Sequence, residues 1–210
     1  NGGFSGGLNG VAGFNSQGGL DTVTGISTPY SFYDSISSTD SQGYYLSSTT
    51  TDTGGTSYME ALALLGNQDE YDINLLFLPG IVDGIGGAHT GIISKAVDIC
   101  EDRGDCFLVY DAVEYSTTNV ITVTTKAETR DSNYAATYWP WVRVNDSKTG
   151  KMRWIPPSVE LAGIYAFNDK VAHPWFAPAG LNRGGLDSVI QAARKLTQAN
   201  RDDLYESNVN

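Results

Sequence analysis

The sequence predicts an α/β fold: a three-layer sandwich with a mostly parallel central sheet and helices on both faces, plus an antiparallel hairpin and a Ser/Thr-rich insertion. Short apolar runs of strand length, such as residues 72–78 and 106–110, alternate with segments of helical periodicity such as residues 90–103. Pro79 follows residues 72–78 and Gly104 follows residues 90–103, and a chain of 22.5 kDa is long enough to bury one substantial core. Parallel strands joined by helices are covered on both faces, so we expect three layers.

The first 56 residues carry little regular patterning. Glycine occurs nine times in residues 1–25, which is typical of turns and irregular loops. Residues 26–56 are rich in Ser, Thr and Asp and are interrupted by aromatic residues, so we interpret them as an exposed insertion, with a hairpin as one form of it. We treat residues 1–210 as a single core domain that contains this insertion.

From Ser57 onward the pattern predicts regular elements with identifiable ends. Ser57, Ser158 and Thr197 are candidate helix caps, Gly104 favours a left-handed helix end, and Pro79 with Gly80 favours the end of a strand. The predicted helices are residues 58–65, 90–103, 120–129, 156–166, 186–196 and 198–206, and the predicted strands are residues 72–78, 106–110, 134–144 and 152–155.

Two of these segments combine different signals. The β-branched side chains of residues 120–129 favour a strand, whereas their place in the alternation favours a helix, and we predict the helix. The turn-forming residues 146–150 separate the aromatic run 134–144 from residues 152–155, which predicts a β-hairpin.

Charge excludes several classes of partner. The chain has a formal net charge of −11, and surfaces that bind nucleic acid or anionic lipid need an excess of Lys and Arg. No apolar run is long enough to span a membrane. The first 94 residues hold nine acidic side chains and no Lys or Arg, so the charge is segregated along the chain. The chain begins at Asn1 without a starting Met, and we expect it to be a piece of a longer polypeptide.

Cysteine and histidine are sparse. Cys100 and Cys106 are too few for a disulfide framework, and we expect buried free thiols in preference to a bridge. With only His89 and His173, no metal-ligand spacing is present, and the sequence predicts no cofactor.

A serine hydrolase is the alternative from a different class, because an α/β sandwich can carry a Ser-His-Asp triad. Ser158 is not in a Gly-x-Ser-x-Gly elbow, and we favour its role as a helix cap. His89, with Asp83 as an orienting partner, is a candidate base, but a surface loop is the favoured interpretation. His173 is interpreted as a packing residue beside aromatics.

The other polar motifs favour ordinary surface. Residues 80–87 follow a strand and precede a helix, as a phosphate loop would, but they contain Asp83 and no basic residue, so we predict a solvent-facing connection. The adjacent acids Asp69 with Glu70 and Asp202 with Asp203 lack further oxygen ligands and are predicted to be solvated.

Three ordered motifs resemble a known family. Residues 131–144 contain an Asp-Ser, a Tyr-Ala-Ala and an aromatic-Pro-Trp-Val run, residues 154–166 contain Pro-Pro-Ser and Ala-Gly, and residues 175–185 read Trp-Phe-Ala-Pro-Ala-Gly-Leu-Asn-Arg-Gly-Gly. The run of residues 4–10 is similar to a Gly-Gly-Asp-Gly start, with Asn9 where Asp is common. Together they resemble the contractile tail sheath proteins of myovirus-type bacteriophages.

The resemblance implies a sheath core domain that is called subtilisin-like for its topology alone. Where a subtilisin has a catalytic Asp, this chain has Pro79, so the resemblance implies no catalytic, cofactor-binding or metal-binding residue. It implies a structural subunit that forms hexameric rings around a tail tube and contracts to drive the tube through the host envelope during genome delivery. The sheath of a related bacterial contractile injection machine is an alternative with the same mechanism.

The implied partners are other sheath subunits, the tail tube protein, the baseplate and the tail terminator, without nucleic acid binding or direct membrane insertion. The implied location is the virion tail sheath, assembled in the host cytoplasm. Family members are tied together by terminal arms that add strands to a neighbour's sheet, and a carboxy-terminal domain follows the core. Because this chain lacks both, we expect it to fold without polymerising alone.

Charge segregation suggests where subunits touch. The acidic first part of the chain is a candidate for one side of a contact, with basic side chains of the hairpin on the other. We interpret Trp139, Trp141, Trp154 and Trp175 as packing residues rather than binding anchors. The candidate subunit-contact residues are Lys148, Lys151, Arg153, Asn182 and Arg183.

Overall fold

The computed structural model describes residues 36–38, 40–41, 44–46, 53–147, 150–173 and 175–210. In this part of the chain it contains five α-helices and nine β-strands. In chain order they are β1 (Ile36–Ser37), β2 (Asp40–Ser41), β3 (Tyr44–Tyr45), α1 (Thr53–Leu65), β4 (Leu75–Val82), α2 (Gly87–Arg103), β5 (Phe107–Asp111), α3 (Val120–Ala127), β6 (Ala135–Thr137), β7 (Val142–Asp146), β8 (Lys151–Ile155), α4 (Pro157–Val171), β9 (Val189–Ala192) and α5 (Gln198–Glu206).

Three sheets organise these elements. The central sheet is parallel, in the order β4-β5-β6, and a second, antiparallel sheet has the order β8-β7-β9. A small antiparallel sheet has the order β1-β2-β3. The α/β class, the parallel sheet and the β7–β8 hairpin are confirmed.

The two faces of the parallel sheet are covered by different helices. Leu76 and Leu108 are register partners and belong to the buried cluster that includes the apolar face of α2. Side chains alternate between faces along a strand, so their neighbours Phe77 and Phe107 point the other way. There both rings contact Tyr165 of α4, with ring centroids 6.4 and 6.5 Å apart. The result is helix, sheet and helix, the three layers expected.

Local end signals place three of the helices. Gly104 ends α2 in the left-handed conformation (φ 70°), and its N–H donates to the Cys100 carbonyl at 2.9 Å. The side chain of Asn119 caps α3, which confirms a helix in the segment of mixed signals. Thr197 and Asn200 form a reciprocal capping box at the start of α5.

Several elements differ from prediction. The helix α1 begins at Thr53, so Ser57 lies inside it and does not cap it, and α4 continues to Val171, five residues beyond its predicted end. The strand β4 does not end at Pro79 but continues to Val82, with a register shift against β5 after Phe77. The predicted strand over residues 134–144 is divided, and its halves, β6 and β7, lie in different sheets. Residues 186–196 form no helix: they contain β9, because the outer edge of β7 requires hydrogen-bond partners, and the N–H of Ala193 supplies one to the Trp141 carbonyl at 2.7 Å.

Only part of the insertion of residues 26–56 is described by the structure. Its strands β1 to β3 pair as antiparallel hairpins. Leu46 is fully buried in the core and the Ser41 hydroxyl donates to the Gly80 carbonyl at 2.6 Å, so these residues are not exposed as their composition suggested. The irregular loop predicted for residues 1–25 lies outside the described residues, and the division into one domain plus an insertion stays a prediction.

The four tryptophans differ in burial. Trp139 and Trp141 are buried, and the Trp141 indole donates to the Val113 carbonyl at 3.0 Å. Trp154 is half-buried beside Tyr115. Trp175 is 77% exposed, so the prediction that it packs in the interior is wrong. Among the helices that the structure describes, none is both long and apolar enough to cross a membrane.

The layered core predicts unequal effects for the same substitution. Leu108→Ala removes a fully buried side chain between α2 and the sheet, and should lower the free energy of unfolding by about 2–5 kcal/mol. The matched control Leu181→Ala alters a side chain that is 96% exposed, and should change it by less than about 0.5 kcal/mol. Urea denaturation followed by circular dichroism measures both. Equal losses would contradict the assigned core.

Candidate functional site

A buried ion pair lies at the carboxyl end of β4. Asp83 follows the last residue of this strand and is fully buried. Nε and Nη2 of Arg130 donate to the two carboxylate oxygens of Asp83 at 3.0 and 2.9 Å, and Nζ of Lys126 lies 3.9 Å away. Residues 80–87 are therefore not the solvent-facing connection that the sequence predicted, because a carboxylate among them is neutralised inside the protein.

The same arginine binds a second element. Nη1 of Arg130 donates to the Ser94 hydroxyl at 2.7 Å and Nη2 donates to the Thr90 carbonyl at 3.3 Å, both on α2. The Thr90 hydroxyl donates to the Asp83 carbonyl at 2.9 Å. The hydrogen bonds to Asp83 raise the pKa of Arg130 further above its ordinary value. This network joins β4, α2 and the segment that follows α3. Both oxygens of the Asp83 carboxylate accept hydrogen bonds within it.

His89 lies in the first turns of α2 and is fully buried, so the surface-loop interpretation is wrong. The Val82 N–H donates to Nδ1 of His89 at 3.1 Å, which leaves the proton on Nε2, and Nε2 lies 2.8 Å from the Ser37 carbonyl. Both ring nitrogens therefore bind backbone groups, one in β4 and one in β1. This arrangement suits a structural histidine rather than a catalytic base.

A second buried carboxylate ends β5. Asp111 accepts a hydrogen bond of 2.6 Å from the Ser158 hydroxyl and one of 3.3 Å from the Ser158 N–H. Ser158 was predicted to cap its helix, but Pro156 occupies the cap position of α4 and the serine side chain points to the sheet instead. Burial raises the pKa of Asp111 to about 7, against the opposing effect of the two Ser158 hydrogen bonds.

These contacts remove the geometry that a serine hydrolase requires. The Ser158 side chain is 1% exposed, and its hydroxyl donates to a carboxylate rather than to an imidazole. His173 stacks on Trp175, with ring centroids 5.3 Å apart, in an exposed loop after α4. Within the described ranges, Ser158 therefore has no histidine to activate it.

The remaining polar candidates are surface residues. The acidic pairs Asp69 with Glu70 and Asp202 with Asp203 are exposed, as predicted. In the described part of the chain, no group of three or more His, Cys, Asp or Glu side chains is arranged to hold a metal ion.

Several large apolar side chains are exposed at the end of α4 and in the loop that follows it, and we call them together the aromatic surface. Phe167 and Val171 lie one turn apart on α4, and the loop that follows stacks Trp175 on Phe176 with ring centroids 4.6 Å apart. Leu181, further along the loop, is 96% exposed. The surface consists of Phe167, Val171, Trp175, Phe176 and Leu181.

Two side chains hold this loop in place. Asn168, itself buried, donates from Nδ2 to the Phe176 carbonyl at 2.8 Å. The guanidinium of Arg183 lies 5.0 Å from the Phe176 ring centroid. The loop that carries the exposed rings is thus held by one hydrogen bond and one cation–π contact.

The predicted contact residues fall in two places. Asn182 is exposed and Arg183 is half-buried, and both belong to the loop that carries the aromatic surface. Lys151 is exposed on the edge strand β8, whereas Arg153 on the same strand binds Asp146 at 2.8 Å. Lys148 lies outside the described residues.

Sequence reasoning missed the aromatic surface and the Asp83–Arg130 pair. The sequence contains a signal for the aromatic surface: residues 174–185 combine large apolar side chains with Pro and Gly and show no helical or strand periodicity that would predict burial. No local signal predicts the Asp83–Arg130 pair, because its two residues are 47 positions apart.

The buried carboxylates of Asp83 and Asp111 are both satisfied by hydrogen bonds within this α/β sandwich, and the loop after α4 exposes aromatic side chains. The chain belongs to the phage tail sheath protein family, because the family described as "Phage tail sheath protein central domain" matches residues 52–210. This match confirms the resemblance in the sequence motifs.

Individual sheath proteins are similar to this chain as well. The tail sheath protein of Vibrio phage KVP40 is 36% identical over 90 residues, which are 43% of this chain and 12% of that protein. The tail sheath protein of Enterobacteria phage T4 is 28% identical over 173 residues, which are 72% of this chain and 26% of that protein. That of Salmonella phage ViI is 33% identical over 81 residues, 39% of this chain and 13% of that protein. The chain thus spans about a quarter or less of the length of these curated relatives.

The Asp83–Arg130 pair predicts a large loss from a single substitution. Arg130→Met keeps side-chain bulk but leaves a buried carboxylate without its main partner, and should lower the free energy of unfolding by about 3–5 kcal/mol. Arg153→Met breaks the partly exposed pair with Asp146 and should cost about 1 kcal/mol or less. Chemical denaturation at pH 7 compares them. Similar losses for both variants would show that Asp83 is not desolvated.

Asp111 predicts a pH dependence of stability. Its pKa is higher in the folded chain, about 7, than in the unfolded chain, so the folded state binds the extra proton. The contribution of protonated Asp111 to the free energy of unfolding is complete below the pKa that this carboxyl has in the unfolded chain. It is lost as the pH rises through about 7, the pKa in the folded chain. The free energy of unfolding should therefore fall between pH 5 and 8 by more in the natural chain than in Asp111→Asn, which does not titrate. Parallel pH profiles would contradict this assignment.

Proposed function

We propose that this chain is the core of a structural subunit of a contractile phage tail sheath. In this proposal the subunit polymerises with its copies as hexameric rings around a tail tube, and contraction drives the tube through the host envelope during genome delivery. The further partners are the tail tube protein, the baseplate and the tail terminator. The subunit is a virion component that is assembled in the host cytoplasm, and residues 1–210 form one core domain of it.

The observation that carries the proposal is the aromatic surface in a chain of this family. Trp175 and Leu181 are 77% and 96% exposed on one loop, and large apolar side chains that are exposed to water favour burial against another protein. A large aromatic ring held by stacking loses little conformational freedom when a partner covers it. The relatives are named as tail sheath proteins, so a second sheath subunit is the partner that we propose for this surface.

Charge contributes less to this proposal. Lys151 remains a candidate for a contact with an acidic region of a neighbouring subunit, because it is exposed on an edge strand. Arg153 is a weaker candidate, since its guanidinium already binds Asp146 within the hairpin. We keep Asn182 and Arg183 as contact residues because they border the aromatic surface.

The sheath of a bacterial contractile injection machine would use the same contacts and contraction, and the phage origin of the three relatives favours the tail sheath. We propose no catalytic role: the arrangement of Ser158 and Asp111 favours a structural contact between α4 and β5.

Assembly of the intact parent polypeptide tests the proposal. In that polypeptide, Trp175→Ala combined with Leu181→Ala should abolish tubes and rings in negative-stain electron microscopy and leave monomers in sedimentation velocity. The unsubstituted parent should form tubes or rings.

The matched control is Tyr205→Ala, which removes an aromatic side chain that is 82% exposed on α5, outside the aromatic surface. This variant should assemble as the parent does. Assembly of the double variant would exclude the aromatic surface as a subunit contact, and monomers from the unsubstituted parent would contradict the sheath function itself.

A further inference from the structure

We propose that Cys100 and Cys106 form a dithiol site that closes reversibly to an intramolecular disulfide in oxidising surroundings. The inference concerns the redox chemistry of the chain and does not depend on its role in assembly.

The two thiols already face each other. Cys100 lies in the last turn of α2, Cys106 directly precedes β5, and both side chains are buried. The Cys106 thiol donates to the Cys100 sulfur at a sulfur–sulfur distance of 3.4 Å. A disulfide bond is about 2.05 Å long, so closure requires the sulfurs to approach by little more than 1 Å, within the reach of side-chain rotation.

The connection between the two cysteines is held in one conformation. Nε and Nη2 of Arg103 donate to the Asp105 carboxylate at 2.8 and 2.9 Å. The same guanidinium donates to the carbonyls of Leu65 at 2.6 Å and Tyr71 at 2.9 Å. Because the segment is tied to α1 and to the loop that follows it, the sulfurs stay adjacent in the reduced chain.

The surroundings favour this pairing over reaction with outside molecules. Burial, and then the contact with Cys106, raise the pKa of Cys100 to about 12, so its sulfur remains protonated at neutral pH. Oxidation therefore requires a brief opening at the α2–β5 connection, and is slow. Once one sulfur has reacted, the nearest nucleophile is the other cysteine, which favours an internal bridge over a lasting adduct.

The oxidant is named by class, a diazene such as diamide, and the reaction balances. One thiol adds across the N=N bond, which forms an S–N bond and moves its hydrogen to nitrogen. The second thiol then attacks the first sulfur, the S–N bond breaks as the S–S bond forms, and the second hydrogen goes to the other nitrogen. The protein loses two hydrogen atoms, which are two protons and two electrons, and the diazene becomes a hydrazine.

The bridge should stabilise the chain. It would join the end of α2 to the start of β5, two elements of the main core, and would restrict the unfolded chain. For a loop this short in a chain of this size, we expect the melting temperature to rise by about 5 °C.

The experiment oxidises the purified chain with diamide under native conditions. Intact mass spectrometry should show a loss of about 2 Da, denatured alkylation should find no free thiol, and dithiothreitol should restore both thiols and the original melting temperature. The single variants Cys100→Ala and Cys106→Ala should show no loss of mass and no diamide-dependent change in melting temperature.

The unsubstituted chain decides the matter even if a variant folds poorly. Two alkylated thiols after prolonged oxidation, disulfide-linked dimers in place of the internal bridge, or a lower melting temperature in the bridged chain would each overturn the proposal.

Discussion

The fold depends on neutralising one carboxylate that has no access to water. Asp83 follows β4, the longest strand described, and an unpaired charge in its position would cost several kcal/mol. Arg130, 47 residues further on, supplies the opposite charge and also binds Ser94 and the Thr90 carbonyl on α2. Because the guanidinium is planar and binds all of them at once, it fixes the strand, the helix and the segment after α3 relative to one another.

This constraint has a consequence for function. In open α/β sheets, small ligands bind at the carboxyl ends of the strands, where polar side chains are free to meet them. Here Asp83 and Asp111 stand at the ends of neighbouring parallel strands, and both carboxylates are occupied by Arg130 and Ser158. In the described part of the chain, these two carboxylates are therefore committed to contacts within the core. The subunit contact that we propose lies elsewhere, on the loop after α4.

The fold was predictable where the deciding contacts are close in sequence. The left-handed Gly104, the capping box of Thr197 with Asn200 and the turn between β7 and β8 all involve residues within a few positions of each other. The β9 strand was not predictable in this way, because its conformation is imposed by pairing with β7, more than 40 positions earlier in the chain. The same holds for the end of β4. Pro79 favours the end of a strand, but the strand continues because Ile81 and Val82 are buried in the core.

For the candidate site too, features set by local sequence were predictable, and features set by distant contacts were not. Sequence alone was sufficient for the α/β class and the family motifs, since these follow from local pattern and residue identity. The contact residues Asn182 and Arg183 remain a prediction. Contacts between distant segments were needed to show that His89 is buried, that Ser158 binds a carboxylate instead of capping a helix, and that Trp175 is exposed. The physical reason is that burial is a property of neighbours: the partners of these side chains, or their lack of cover, are set by segments that pack together from distant parts of the chain.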